Sequence, residues 1–209
     1  MKVSILSESP VDEAAIRILA EAILRQPLDV VQPRIRPGGW AATINAVPLE
    51  LKRLYYNTDT EGLLIVVDSD DSPPHESSHV ASPILDCRVC QIESEVRQVR
   101  AALNVIPRRV ELKVAIGLPV PAIEAWFQCG KDPHAAEAPI LRELAEGRVL
   151  FNTRRRLKRA VYGSGPYVTG HQVDIAVREA RRLAADLDTL RSRFPRGFGS
   201  FYESLATWR

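Results

Sequence analysis

Three short aliphatic runs, each followed closely by acidic residues, constrain this chain most. Val3-Ser4-Ile5-Leu6 leads into Glu8, and Leu63-Leu64-Ile65-Val66-Val67 into Asp68-Ser69-Asp70-Asp71. A third run, Leu112 to Leu118, leads into Pro119-Val120-Pro121-Ala122-Ile123-Glu124-Ala125-Trp126. Apolar runs this short predict buried strands. In open α/β sheets, ligands bind beyond the carboxyl ends of the strands. Three strands delivering Glu8, Asp68, Asp70 and Glu124 to one edge would gather the hard oxygen ligands that Mg²⁺ or Mn²⁺ takes.

Helical patterns separate these runs. Ser9-Pro10 opens one, with Asp12 and Glu13 in its first turn and Ile16, Leu19, Ala20, Ile23 and Leu24 at helical spacing. Pro27 ends it. Leu28 to Ile35 reads as a strand that Pro33 makes an edge or a short one. A loop at Pro37-Gly38-Gly39 follows, then a helix over Ala41 to Tyr56 that Pro48 should break or restart. Arg88 to Leu103 is a further helix. This alternation predicts an α/β fold with a mostly parallel sheet flanked by helices. No strand is expected after Trp126. Residues 138–163 and 171–194 read as helices separated by Gly163-Ser164-Gly165-Pro166. The expected organisation is an α/β domain over residues 1–130 with a helical C-terminal extension, residues 131–209, packed on it.

The chain has 209 residues, 45% of them hydrophobic, enough for one good-sized core. Nothing resembles a signal peptide, and no apolar run reaches the ~20 residues that span a bilayer. Three cysteines leave one unpaired in any disulfide scheme, so reduced thiols and a cytoplasmic location are expected. Charge is divided unevenly. Residues 1–130 carry 13 Lys and Arg against 17 Asp and Glu; residues 131–209 carry 15 against 9. An acidic site beside a basic extension suits a metal-bound centre acting on a polyanion, although Arg-rich helices also serve as solvated faces.

Each candidate site has a plain structural alternative. Glu8 and Asp12 stand one helical turn apart and could share an ion, or Asp12 could serve the helix dipole. Asp68 and Asp70, two apart in an extended segment, would face the same way, with Asp71 as an outer helper; the alternative is a solvated Asp-rich turn. Glu124, among apolar neighbours, needs a metal or an arginine partner. Lys113 faces either the acids or the opposite side. His75, His79, Cys87 and Cys90 form a rival set with ligands and spacing suited to structural Zn²⁺, or a mobile loop leading into a helix whose cysteines pack inward. Arg154, Arg155, Arg156 and Lys158 belong to the densest basic run and are the candidate nucleic-acid contacts. Tyr162, Tyr167 and His171 nearby could stack on bases or pack. The sequence holds no P-loop, no GxGxxG and no serine nucleophile elbow.

These motifs resemble a known fold family. The strand-Glu start and the later Asp68-Ser69-Asp70 are similar to the acidic motifs of the Toprim fold, shared by topoisomerases, bacterial primases, recombination proteins and the overcoming-lysogenization-defect (OLD) nucleases. Glu8 with Asp12 resembles the first acidic motif of the last group. Pro121 to Trp126 is similar to a segment of small stand-alone Toprim-like proteins of the DUF4276 and RloB type, which are often encoded in bacterial defence loci. The resemblance covers roughly residues 1–130. It implies a Toprim-like, Mg²⁺- or Mn²⁺-dependent nuclease of a phage-defence type, with Glu8, Asp68, Asp70 and Glu124 catalytic and Glu8, Asp12, Asp68 and Asp70 holding the metal. It equally admits a non-catalytic subunit working beside a separate ATPase, and a homo-oligomer is compatible with either. A small zinc-stabilised regulatory protein is the third reading.

Overall fold

Four strands set the frame of the computed structural model, which describes residues 1–35, 38–165 and 168–209. Tyr167, and Pro37 and Pro166 of the two loops named above, lie outside the described residues. The strands are β1 (Lys2–Ser7), β2 (Asp29–Val31), β3 (Gly62–Val66) and β4 (Lys113–Gly117). They form one all-parallel sheet in the order β2-β1-β3-β4. β3 is buried at every residue, which is why its sequence is continuously apolar rather than alternating. The strand expected over Leu28 to Ile35 shrinks to three residues at the sheet edge, where Pro33 lies beyond its end.

Helix α1 (Pro10–Leu24) follows β1. Its N-cap Ser9 accepts the Asp12 N–H at 3.2 Å, and Pro10 needs no donor in the first turn. Helix α2 (Trp40–Asn57) runs unbroken through Pro48, contrary to the expected break. An interior proline costs about 3 kcal/mol. The buried face of Ala46, Val47, Leu51 and Leu54 outweighs it, since each large aliphatic contributes about 1.5–3 kcal/mol on burial. Between β3 and β4 lie the short α3 (Ser78–Ala81) and α4 (Arg88–Ala102). After β4 come α5 (Ile123–Gln128), α6 (Glu137–Ala145), α7 (Phe151–Tyr162), α8 (Thr169–Ala184) and α9 (Leu187–Arg193). A π-helical turn, Pro195–Gly199, and α10 (Ser200–Ala206) close the chain. The single helix expected over residues 138–163 is two, interrupted near Gly147, which takes φ +73°. Residues 171–194 likewise form parts of two helices.

The sheet is sandwiched between two helical layers. On one face Leu63, Ile65 and Val67 pack with Val47 and Leu51 of α2 and Ile92 and Val96 of α4. On the other, Val3, Ile5, Leu64 and Val66 pack with Ile16 and Leu19 of α1, Ala176 and Ala180 of α8, and Phe201 and Leu205 of α10. The C-terminal helices therefore share the core of the α/β unit. At the far end Trp208 lies so close over Gly62 that a Cβ there would sit 2.5 Å from its ring.

This topology fixes one crevice. β1 is flanked by β2 on one side and β3 on the other, and α1 and α2 occupy opposite faces. The chain direction thus switches between β1 and β3, the place where parallel sheets open to ligands. Ser7 pairs with Val66, so the two strands end level and deliver Glu8 and Asp68 side by side.

Candidate functional site

Glu8, Asp12, Asp68 and Glu124 border one cavity of about 320 Å³ at the switch point, together with Ser9, Lys158 and Tyr162. Four different elements place the acids. Glu8 follows β1, Asp12 lies in the first turn of α1, Asp68 follows β3, and Glu124 lies in the first turn of α5. The loop after β3 is stitched to the segment after β4 by Ser69 N–H donating to Pro119 O at 2.8 Å and Asp70 N–H to Pro121 O at 2.9 Å. The Ile123 N–H donates to Asp68 Oδ1 at 2.9 Å, which seats the start of α5, and with it Glu124, beside Asp68.

Electrostatics at this site are strained. Burial lifts Asp68 well above the usual carboxylate range, and the nearby Asp12, Glu124 and Glu8 charges add to the shift. Burial pushes Asp12 up to about 6, helped by Glu124 and opposed by the Ser9 hydrogen bond and Lys158. Glu8 and Glu124 are raised as well, chiefly by burial; Arg88 is the main opposing charge at Glu8, and Lys158 at Glu124. Glu124 is only 4% exposed, and its Oε2 has no hydrogen-bond partner; Glu8 Oε1 also lacks one. A buried carboxylate oxygen without a donor is costly, and a neighbouring cation offsets that cost; Arg88 lies 3.5 Å from Glu8 Oε1. Tyr162 keeps its hydroxyl proton because burial and the same three acids, Glu124, Asp12 and Asp68, raise its pKa.

Asp70 goes elsewhere. It does not border the cavity. Its Oδ2 accepts Arg88 Nη2 at 2.7 Å and its Oδ1 binds Arg154 Nη1. The period-2 expectation for Asp68 and Asp70 fails because β3 ends at Val66 and Asp70 turns into the left-handed region at φ +51°. Asp71 accepts the Leu150 N–H at 2.7 Å and lies 3.6 Å from Arg154.

The basic run also divides. Arg154, Lys158 and Tyr162 recur every four residues along α7. Arg154 pairs with Asp70, while Lys158 and Tyr162 border the cavity. Arg155 and Arg156 are exposed, as is His171. Lys113 lies at the opposite end of the sheet, donating to Trp208 O at 3.3 Å, so it faces away from the acids.

Arg88 carried no sequence signal, being a lone arginine at a helix start, yet it organises the site. It donates to the Asp68 carbonyl and to Asp70, comes within 3.5 Å of Glu8 Oε1, and stacks over Trp40 at 4.9 Å.

His75, His79, Cys87 and Cys90 converge just behind Arg88. Their ligand atoms all lie within 4.8 Å of one another, and among the described residues this is the one group of His, Cys, Asp or Glu drawn so tightly. The four acids border their cavity without being drawn together so tightly. Cys87, Cys90 and Cys129 are buried free thiols; Cys129 packs in the core against α8.

Among the described residues, no helix is long and apolar enough to cross a membrane. No protein-family model, no curated protein and no solved structure matches this chain.

Proposed function

We propose that this chain is a Toprim-like, Mg²⁺- or Mn²⁺-dependent phosphodiester-cleaving protein acting on nucleic acid. One observation carries the reading. Three chain segments converge at a switch-point cavity whose walls hold four carboxylates, two of them with unsatisfied buried oxygens. The donor set is all oxygen, which fits a hard divalent ion. Glu8, Asp12, Asp68 and Glu124 would hold it. A bound ion of this kind polarises a phosphoryl oxygen and lowers the pKa of water.

The chain's own groups have separate tasks. Lys158, facing Glu8, Asp12 and Glu124, also supplies a positive charge for the non-bridging phosphate oxygens. Tyr162, whose hydroxyl stays protonated, would donate a hydrogen bond to the phosphate. Water attacks phosphorus as the P–O bond to the leaving nucleotide breaks. A carboxylate of the ring would accept the proton lost by water, and the leaving oxygen would take its proton from solvent. Asp70 is assigned to positioning, since two arginines occupy its oxygens. Exposed Arg155 and Arg156 would track the backbone outside the cavity.

The test is cleavage of single- and double-stranded DNA and RNA with Mg²⁺ or Mn²⁺, comparing wild type with Glu124→Gln. Metal-dependent cleavage lost in the variant supports the proposal; cleavage equal in both removes it. A second reading, a non-catalytic subunit beside a separate ATPase, is favoured by the Asp70 pairs with Arg88 and Arg154, because the acid expected to bind metal is already neutralised. Nucleic-acid binding without cleavage, alone and with an ATPase partner, would support it.

A further inference from the structure

We propose that His75, His79, Cys87 and Cys90 form a Zn²⁺ site that staples the loop after β3 and fixes Arg88 against the acidic loop.

The distances suit this ion. His75 Nδ1 lies 3.6 Å from both Cys87 Sγ and Cys90 Sγ. Tetrahedral zinc, with Zn–S about 2.3 Å and Zn–N about 2.0–2.1 Å, places a sulfur and a nitrogen ligand about 3.6 Å apart. His79 is buried, and one of its ring nitrogens stands within 4.8 Å of the other three ligand atoms. Thiolate and imidazole select zinc over Mg²⁺, so the two centres sort ions by softness. On binding, the two thiol protons pass to solvent as the Zn–S bonds form.

The loop needs such a staple. From Asp70 to Asp86 the one buried residue is His79, while Val80 and Leu85 are 72% and 88% exposed. No apolar anchor holds this stretch, whose one element is the four-residue α3, and connections of that length are uncommon in compact folds without some device to order them. Cys87 is the N-cap of α4 and Cys90 lies in its first turn, with Arg88 between them. A metal held there would lock the residue that contacts Asp68, Asp70 and Glu8. The site stands whether or not the acidic cavity is catalytic.

The experiment uses the untagged full chain, purified without chelators. Elemental analysis should find one zinc per chain in wild type and in Asp68→Asn, and a several-fold loss in Cys90→Ser and His75→Ala. Replacement by Co²⁺ should give thiolate-to-cobalt charge transfer and the intense visible bands of tetrahedral coordination. Should the variants fail to fold, the wild-type cobalt spectrum decides. Zinc no higher in wild type than in folded Cys90→Ser, a cobalt spectrum without thiolate bands, or a Cys87–Cys90 disulfide in the reduced-purified protein would overturn the proposal.

Discussion

The backbone N–H of Ile123 donates to Asp68 Oδ1 at 2.9 Å, so the acid that follows β3 also seats the helix that carries Glu124. One hydrogen bond thereby joins two of the acid-bearing segments. It also makes Asp68→Asn an informative change, because an amide oxygen can still accept that N–H. Without added metal, the variant should melt no lower than wild type, and about 2–4 °C higher if about 1 kcal/mol of like-charge repulsion is relieved. Mg²⁺ or Mn²⁺ should raise the melting temperature of wild type by preferential binding to the folded state, and that rise should shrink in the variant. Differential scanning calorimetry reads both. An unchanged metal response would place the ion elsewhere.

Asp70→Asn should behave in the opposite way. Asn tolerates the left-handed backbone at this position, so φ +51° is kept. What is lost is the ionic link between Arg88 and Arg154, whose side chains are 12% and 24% exposed. We expect a loss of about 1–3 kcal/mol, between the values for exposed and buried pairs, with the metal response retained. Chemical denaturation with and without Mg²⁺ separates the two effects. Loss of the metal-induced stabilisation with stability intact would return Asp70 to the metal centre.

The strands and α1 were legible in the sequence because their signals are local. Buried parallel strands are continuous aliphatic runs, and Ser9-Pro10 marks a helix start by capping chemistry. The strand-end carboxylates were legible for the same reason. Asp70 was not, since alternation holds only while the strand lasts and β3 stops at Val66. Arg154 read as part of a basic run, and its pairing with a residue 84 positions away depends on how α7 docks. Helix α2 kept Pro48 because packing overrode a local breaker. The C-terminal helices joined the main core through Ala176, Ala180 and Phe201, which a count of charges along the chain does not show.

Acidity gives a further expectation. Burial holds Asp12 up to about 6 and shifts Asp68, Glu8 and Glu124 upward too. In the unfolded chain such acids titrate near ~4. Between these values the folded protein retains protons that the unfolded chain has shed, so stability falls as pH rises through about 4 to 6. Without added metal, wild type should therefore melt higher near pH ~5 than near pH ~7.5, and Asp12→Asn should narrow the difference. A difference unchanged in Asp12→Asn would mean that Asp12 does not titrate in this window.

The two halves of the basic run should separate on mutation. Arg155→Ala with Arg156→Ala removes two exposed charges and should weaken polyanion binding while lowering the slope of log affinity against log salt by about 1–2. Lys158→Ala should chiefly reduce turnover, because Lys158 borders the cavity. Fluorescence anisotropy across a salt series and single-turnover cleavage measure these. An unchanged salt slope in the double variant would remove Arg155 and Arg156 from the binding face.

The central claim is that the carboxylates around the switch-point cavity perform metal-dependent phosphodiester hydrolysis. The most direct measurement is the single-turnover cleavage rate of a nucleic-acid substrate by purified wild type, Asp68→Asn and Glu8→Gln, each with Mg²⁺, with Mn²⁺ and with neither. The account predicts cleavage by wild type only when the ion is present, and a loss of at least ~10²-fold in both variants with substrate binding retained. Cleavage that survives Asp68→Asn, or substrate binding by wild type with no cleavage under any of these conditions, would contradict it.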